Sequence, residues 1–266
     1  MTETKNIYDN LIRFESRNRK GKPYPVHKKL IRPFGNKNLL DWLITVVAFN
    51  KEDYVLDAGC GTGFTLFFLY DLFHIRGTGI SISSKEVDYA RKHTQRNDLG
   101  KYLEFELDNY FTHSRPGSYS RILCIESLKH ANNIEETINN LLRNLGQGGT
   151  MVIIDDFIKK DSKTINKQKL LWDSPAFDEE KIYTDIINKN PSYHFYTIDL
   201  TEFVHVRPVC KLDLMIFLLS VYKWILLGKN TRNVNTYIGA LILEKLYARD
   251  KISYKAIIVE HKISYS

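Results

Sequence analysis

The chain is 266 residues long, 43% hydrophobic and 26% charged, with a formal net charge of +7. Its length suits one large domain, or a domain with a lid. Three widely spaced cysteines, Cys60, Cys124 and Cys210, exclude a disulfide framework and a zinc-ligand pattern and point to a reducing, cytoplasmic home. The opening MTETKNIYDN has no apolar run of the signal-peptide kind. The positive charge admits an anionic partner: a phosphorylated substrate, an acidic carrier protein, a membrane surface or nucleic acid. A lysine-rich solvated surface is the plainer account of it.

Residues 1–37 are polar and basic, with RNRKGKPYP as the clearest loop. From residue 38 the text becomes regular. NLLDWLITVVAF (38–49) predicts a helix, DYVLDAG (53–59) a buried strand, and TGFTLFFLYDLF (62–73) the helix that follows. RGTGISIS (76–83) predicts a second strand, then SSKEVDYARKHTQRN (83–97) a helix capped by Ser83 or Ser84 with Glu86 in its first turn. YLEFELD (102–108) predicts a third strand and SRILCIES (120–127) a fourth. IEETINNLLRNL (134–145) predicts a helix ended by the glycines of GQGG, and TMVIIDDF (150–157) a fifth strand.

This alternation implies an α/β fold with a doubly wound, mostly parallel sheet covered on both faces, over residues 38–160. Right-handed crossovers put the strand C-termini on one edge, and ligands bind there, at the switch point after the first strand. Beyond residue 160 the pattern breaks. Residues 161–250 predict a loop around Trp172, a helix near 178–189, a strand in YHFYTID (193–199) and two helices, and ISYKAIIVEHK (252–262) predicts a final edge strand. The most apolar stretch, residues 212–228, is shorter than the ~20 residues a membrane span needs and is interrupted by Lys223. A buried helix, a lid over a lipophilic substrate and a membrane-surface helix all fit it.

The first strand runs into VLDAGCGTG, residues 55–63. Gly59, Gly61 and Gly63 allow a tight turn and close backbone approach by a ligand. The helix start that follows favours negative charge. The dinucleotide fingerprint is G-x-G-x-x-G, whereas the spacing here is G-x-G-x-G, with Asp57 ahead of the glycines. An acid in that place suits a ligand that has no pyrophosphate and has a cationic end.

VLDAGCGTG resembles motif I of the class I S-adenosylmethionine-dependent methyltransferases, and the resemblance extends over about residues 38–157. It implies a Rossmann-like, seven-stranded fold with a helical lid in the C-terminal part and S-adenosyl-L-methionine as cofactor. Residues 1–37 would cap the cofactor site, 161–250 would form the acceptor lid and 251–266 the last edge strand. Asp57, Ala58, Gly59, Cys60, Gly61 and Gly63 would hold the methionine and ribose. GISIS is similar to the second-strand variant of the cyclopropane-synthase and related small-molecule branch, so Ser81, Ile82 and Glu86 would line the nucleoside. Leu107, Asp108 and Asn109 would form the adenine site, Asp108 accepting from the exocyclic amine; a turn role for Asp108 is the alternative.

The fourth strand ends without the N/D-P-P-Y motif of base and protein-glutamine methyltransferases. ESLKHANN (126–133) is instead similar to a pattern of sterol, tocopherol and other small-molecule methyltransferases. Cyclopropane synthases keep a Glu just before this His, where Lys129 stands here, which argues against the cyclopropane reaction itself. The resemblance therefore implies methyl transfer to a small, lipophilic acceptor (isoprenoid, polyketide or phenolic). Glu126 would touch the cofactor or a cationic intermediate, and His130 would act as base, with a backbone-bonded structural role as its alternative. Asp155 and Asp156 would bind acceptor or cap the turn. Adjacent acids on a strand face opposite ways, so no metal is expected. Trp172, Phe177, Tyr196, Phe203 and Trp224 are candidate aromatic walls. The net charge is compatible with an anionic or carrier-bound acceptor, and monomer and homodimer both remain open. A tRNA or rRNA methyltransferase using the basic RNRKGK is the competing reading. The absent N/D-P-P-Y and the apolar C-terminal region argue against nucleic acid.

Overall fold

The computed structural model describes residues 4–7, 9, 38–225 and 231–263. Most of the basic segment 1–37, including RNRKGK and its expected capping role, lies outside the described residues. A seven-stranded sheet organises the chain, in the order β3 (Leu103–Leu107), β2 (Arg76–Ser81), β1 (Tyr54–Ala58), β4 (Tyr119–Ile125), β5 (Leu145–Ile158), β7 (Ile252–His261) and β6 (Tyr193–Asp199). β1 pairs in parallel with β2 and β4, and β2–β3 and β4–β5 are also parallel. β7 runs antiparallel to both its neighbours. The strand order therefore reverses at β1, and the ends of β1 and β4 open the ligand crevice expected of such a sheet.

Alternation along β1 builds two cores. Val55 packs with α1 (Leu39–Val46) and α2 (Phe64–Phe73) on one face, while Leu56 and Ala58 pack on the other with α4 (Ile134–Asn144). α1 begins on a capping box between Asn38 and Asp41 and ends at Val46, short of the predicted helix end, because Val47 is already extended. α3 (Ser84–Arg96) is capped by Ser83, whose hydroxyl accepts from the Glu86 N–H at 3.3 Å. α4 ends at Asn144 before any glycine. Leu145 pairs with Tyr119, and the register shifts before Thr150 pairs with Arg121, so the glycines belong to the irregular start of β5.

Two further expectations are corrected. The region around Trp172 is a helix, α5 (Lys163–Trp172), with only Ile165 and Gln168 buried, so its sequence carries little periodicity to read. The last strand is not an edge: β7 lies between β5 and β6, and β6 is the edge. The reason is visible in burial, since Ile252–Tyr254 and Ala256–Val259 are buried on both faces, whereas β6 exposes alternate residues.

α6 (Glu180–Asn188) packs on α4 and β6. α8 (Thr231–Ala248) packs against α5 and against α7 (Val209–Ile225). The α5–α8 contact is close at Gly239, where an added Cβ would lie 2.3 Å from the Trp172 ring, and Trp172 Nε1–H donates to the Thr236 carbonyl at 3.2 Å. Gly239→Ala should therefore displace α5 and cost about 1–3 kcal/mol, the usual scale of overpacking. Urea titration of wild type and variant checks this, and an unchanged midpoint would refute the contact.

Candidate functional site

β1 delivers Asp57 into the crevice and the loop then folds over β2. Gly59 and Cys60 N–H groups both donate to the Ile80 carbonyl at 3.0 Å. Gly59, Gly61 and Gly63 all take left-handed backbone, with φ of 97°, 52° and 81°. A Cβ on Gly59 would sit 2.5 Å from the Ser127 Cβ, so only glycine lets the loop approach the turn after β4. Gly63 is the N-cap of α2 and supplies no side-chain cap, which leaves the first N–H groups of the helix for another partner.

The polar groups around this loop are under-satisfied. Asp57 is 2% exposed, and its Oδ2 accepts no hydrogen bond from the described residues. Burial pushes its carboxyl up to about 7. The buried Ser127 hydroxyl likewise has no partner among the described residues. Leaving such groups unmet costs about 1–3 kcal/mol each. The Cys60 thiol is raised by burial, then by the charges of Asp57 and Glu86, which places the three side chains in one neighbourhood. Ala58 is buried behind the loop.

The turn after β2 supplies the next wall. Ser81 donates its hydroxyl to Glu86 Oε2 at 2.6 Å and accepts the Ser83 N–H at 3.1 Å. Burial pushes Glu86 up to about 7, against the Ser81 bond, which favours its charged form. Ile82 is half-buried in the bend between β2 and α3. From the N-terminal segment, Asp9 accepts the Ser83 hydroxyl at 2.6 Å and so touches this wall.

At the end of β3, Leu107 is exposed and the Asp108 N–H donates to the Ser81 carbonyl at 3.1 Å. The turn role of Asp108 is evident. Oδ1 accepts the Asn109 N–H at 2.7 Å and the Thr112 hydroxyl at 3.3 Å, and Oδ2 faces His113 Nδ1 at 2.8 Å. An adenine amine would share an oxygen with these donors. Asn109 accepts the Phe111 N–H at 2.9 Å. Glu106, Asp108 and His113 bring ligand-type atoms within 4.8 Å of one another. His113 faces Asp108 and, at 2.8 Å, the Tyr119 hydroxyl, while Arg115 already pairs with Glu106. The cluster is thus closed on itself.

The turn after β4 carries the two residues expected to do chemistry. Glu126 holds φ of 52°, left-handed backbone that costs a non-glycine residue about 1–3 kcal/mol, and its N–H donates to the Ile154 carbonyl at 2.7 Å. Its carboxylate accepts the Tyr254 hydroxyl at 2.8 Å. His130 is buried and its Nδ1 lies 2.9 Å from the Asp173 carbonyl. A carbonyl only accepts, so Nδ1 carries the proton and Nε2 the lone pair. Burial, then the Lys129 charge, pulls His130 down to about 4, so the ring is neutral across the physiological range. A ring held neutral in this way is a weak base near neutral pH. The backbone-bonded role and the lone pair coexist in this geometry.

Lys129 was not among the expected site residues. It is 6% exposed, and its ammonium lies 2.9 Å from both Asp155 Oδ1 and Asp156 Oδ2. β5 runs past the end of β4, so these acids sit under the turn, and although they alternate sides one ammonium reaches both. Tyr247 of α8 donates to Asp156. Burial works against the Lys129 charge, but Asp155, Asp156 and Glu126 outweigh it and hold the ammonium protonated. Two adjacent acids inside an apolar strand signal a buried cation somewhere, and a lysine within the apolar turn is its natural source.

The expected aromatic walls do not come together. Phe177 is core, Phe203 packs against the core, and Trp172 binds α8. Tyr196 is exposed on the edge strand, and Trp224 is 77% exposed on the outer side of α7.

The methyltransferase-domain family matches residues 49–202, which holds every one of these loops. The O-methyltransferase cnsE of Penicillium expansum is 27% identical over 167 residues, 61% of this chain and 59% of that protein. The chain thus spans about three fifths of the length of that relative. The 4+2 cyclase SpnF shares the fold with a TM-score of 0.73 at 14% identity, over 97% of this chain and 95% of that one. The geranyl diphosphate C-methyltransferase of Streptomyces coelicolor does so with a TM-score of 0.67 at 14% identity, over 96% and 98%. A shared fold with a cyclase leaves the chemistry to the site. With the family match covering more than half of its length, this chain belongs to the methyltransferase-domain family.

Proposed function

We propose that this protein transfers a methyl group from S-adenosyl-L-methionine to a small, lipophilic acceptor. The observation that carries the reading is the buried carboxylate of Asp57, whose Oδ2 has no partner among the described residues, just ahead of three left-handed glycines. The crevice is also locally acidic although the chain carries +7 overall. Asp57 and Glu86 both act on Cys60 there, and the buried Lys129 is already opposed by Asp155 and Asp156. That balance favours a cationic ligand and disfavours a phosphate backbone against the crevice, which weighs against the nucleic-acid reading.

In this reading Asp57 and the Ser127 hydroxyl receive the amino-acid end. Ala58, Gly59, Cys60, Gly61 and Gly63 pass beneath it, Ser81, Ile82 and Glu86 line the ribose, and Leu107, Asp108 and Asn109 border the adenine. The cofactor supplies an already activated methyl on a sulfonium, so the protein's work is positioning and exclusion of water. Glu126, oriented by Tyr254, stabilises positive charge. His130 Nε2 accepts a hydrogen bond from the acceptor and orients it. The helices of residues 161–250 close the acceptor side. Three free cysteines accord with a cytoplasmic location, and no helix of the described residues is long and apolar enough to cross a membrane.

Calorimetry should show binding of S-adenosyl-L-methionine and of S-adenosylhomocysteine, and no heat with either would refute the site. A labelled-methyl assay over phenolic, isoprenoid and polyketide acceptors, with tRNA as control, should label only small molecules. With the acceptor in hand, His130→Ala should lower turnover by about 2- to 10-fold, the scale of one lost hydrogen bond. Turnover retained in that variant would remove His130 from the chemistry.

A further inference from the structure

α7 carries two apolar faces. Leu212 is buried, and Ile216 and Leu219 are half-buried on the side packed to the core, where α8 lies. On the opposite side Leu214, Phe217, Leu218, Val221, Trp224 and Ile225 are between 39% and 77% exposed. Steps of three and four residues put these six on one stripe along the helix. A contiguous apolar surface of this kind is rare on a monomer and marks an interaction site.

The charges around the stripe select its occupant. Along α7 stand two lysines, Lys211 and Lys223, and one acid, Asp213, while Arg207 just before the helix is already paired with Glu244. Asp213 is already paired with Lys245. Tyr222 and Trp224 stand at the C-terminal end of the stripe, half to three-quarters exposed, where amphipathic rings suit a membrane–water boundary. A second copy laid against this face would bring the same cations together, whereas an anionic lipid surface offsets them.

We infer that the outer face of α7 docks this protein onto anionic membrane surfaces, lying in the interface rather than crossing it. α7 packs on α8, and Tyr247 of α8 bonds to Asp156 in the crevice. The docked face is therefore one helix from the proposed acceptor side, a short route for a lipophilic molecule. The inference does not depend on which reaction the crevice performs.

The test uses the full chain with vesicles of phosphatidylcholine alone and of phosphatidylcholine with phosphatidylserine. Co-sedimentation should be roughly tenfold or more stronger with phosphatidylserine and should weaken in high salt. The double variant Phe217→Asp and Val221→Asp should lose binding without a change in thermal midpoint, because both side chains are on the exposed stripe. Brominated lipid tails should quench Trp224 in the wild type, since Trp42 is buried and Trp172 is held against α8. Vesicle binding that survives the double variant, or no quenching, would overturn the inference. Wild type that ignores both vesicles would also overturn it. If such protein dimerises through a contact the double variant abolishes, the stripe is a homodimer interface; if it stays monomeric, the chain's own residues cover it.

Discussion

Asp57→Asn is expected to raise the stability of the ligand-free protein and to weaken S-adenosyl-L-methionine binding by about 10- to 100-fold, the range of a lost hydrogen bond to a charged group. The two effects share one cause. Among the described residues the ligand-free fold keeps a buried carboxylate without a partner for Oδ2, and burial pushes its pKa up to about 7 against an ordinary value of 3.8. Between those values the native state holds a proton that the unfolded chain has released. Stability from this group therefore falls as pH rises from about 4 to 7, by about 2–4 kcal/mol in all. Glu86, at about 7 against 4.5, adds to the fall. His130, at about 4 against 6.5, opposes it, because there the unfolded chain holds the extra proton. The difference between wild type and Asp57→Asn isolates the Asp57 share.

Urea unfolding at pH 5 and pH 7.5 should thus show the variant gaining on wild type at the higher pH. Affinity for a cationic ligand should move the other way in the wild type, rising as Asp57 and Glu86 ionise, and this rise should flatten in the variant. A constant stability difference across that range would mean that Asp57 already has a partner in the free protein.

These groups were unequally legible in the sequence. The strand–loop–helix around VLDAGCGTG is local: three glycines, one acid and the following apolar helix stand within twenty residues, and each takes the conformation its chemistry demands. The Ser83 cap was equally local, since the hydroxyl reaches a backbone N–H three residues on. Lys129 was hidden because its partners are 26 and 27 residues away, joined only when β5 overruns β4. The interior place of β7 is likewise a matter of strand order, which no single segment encodes. Its run of buried residues on both faces was nevertheless readable, since edge strands rarely hide both. α5 escaped because a helix with two buried residues imposes almost no periodicity.

The Lys129 cluster also yields the largest expected loss of stability. Lys129→Met should destabilise the protein by about 3–5 kcal/mol, because it leaves Asp155 and Asp156 adjacent, buried and without their cation. The loss is a penalty on the acids that remain and does not measure the worth of the ion pair. Adding Asp155→Asn and Asp156→Asn to Lys129→Met should therefore restore most of the midpoint in urea, an outcome that pairwise loss of contacts would not produce. The Lys129 charge also helps to hold His130 down. The triple variant also removes the Asp156 charge, which acts upward on His130, so its titration should rise less than in Lys129→Met alone, which NMR of the ring protons can follow. If the triple variant is as unstable as Lys129→Met, then the acids are not the source of the cost, and Lys129 contributes through packing of its stem under the turn.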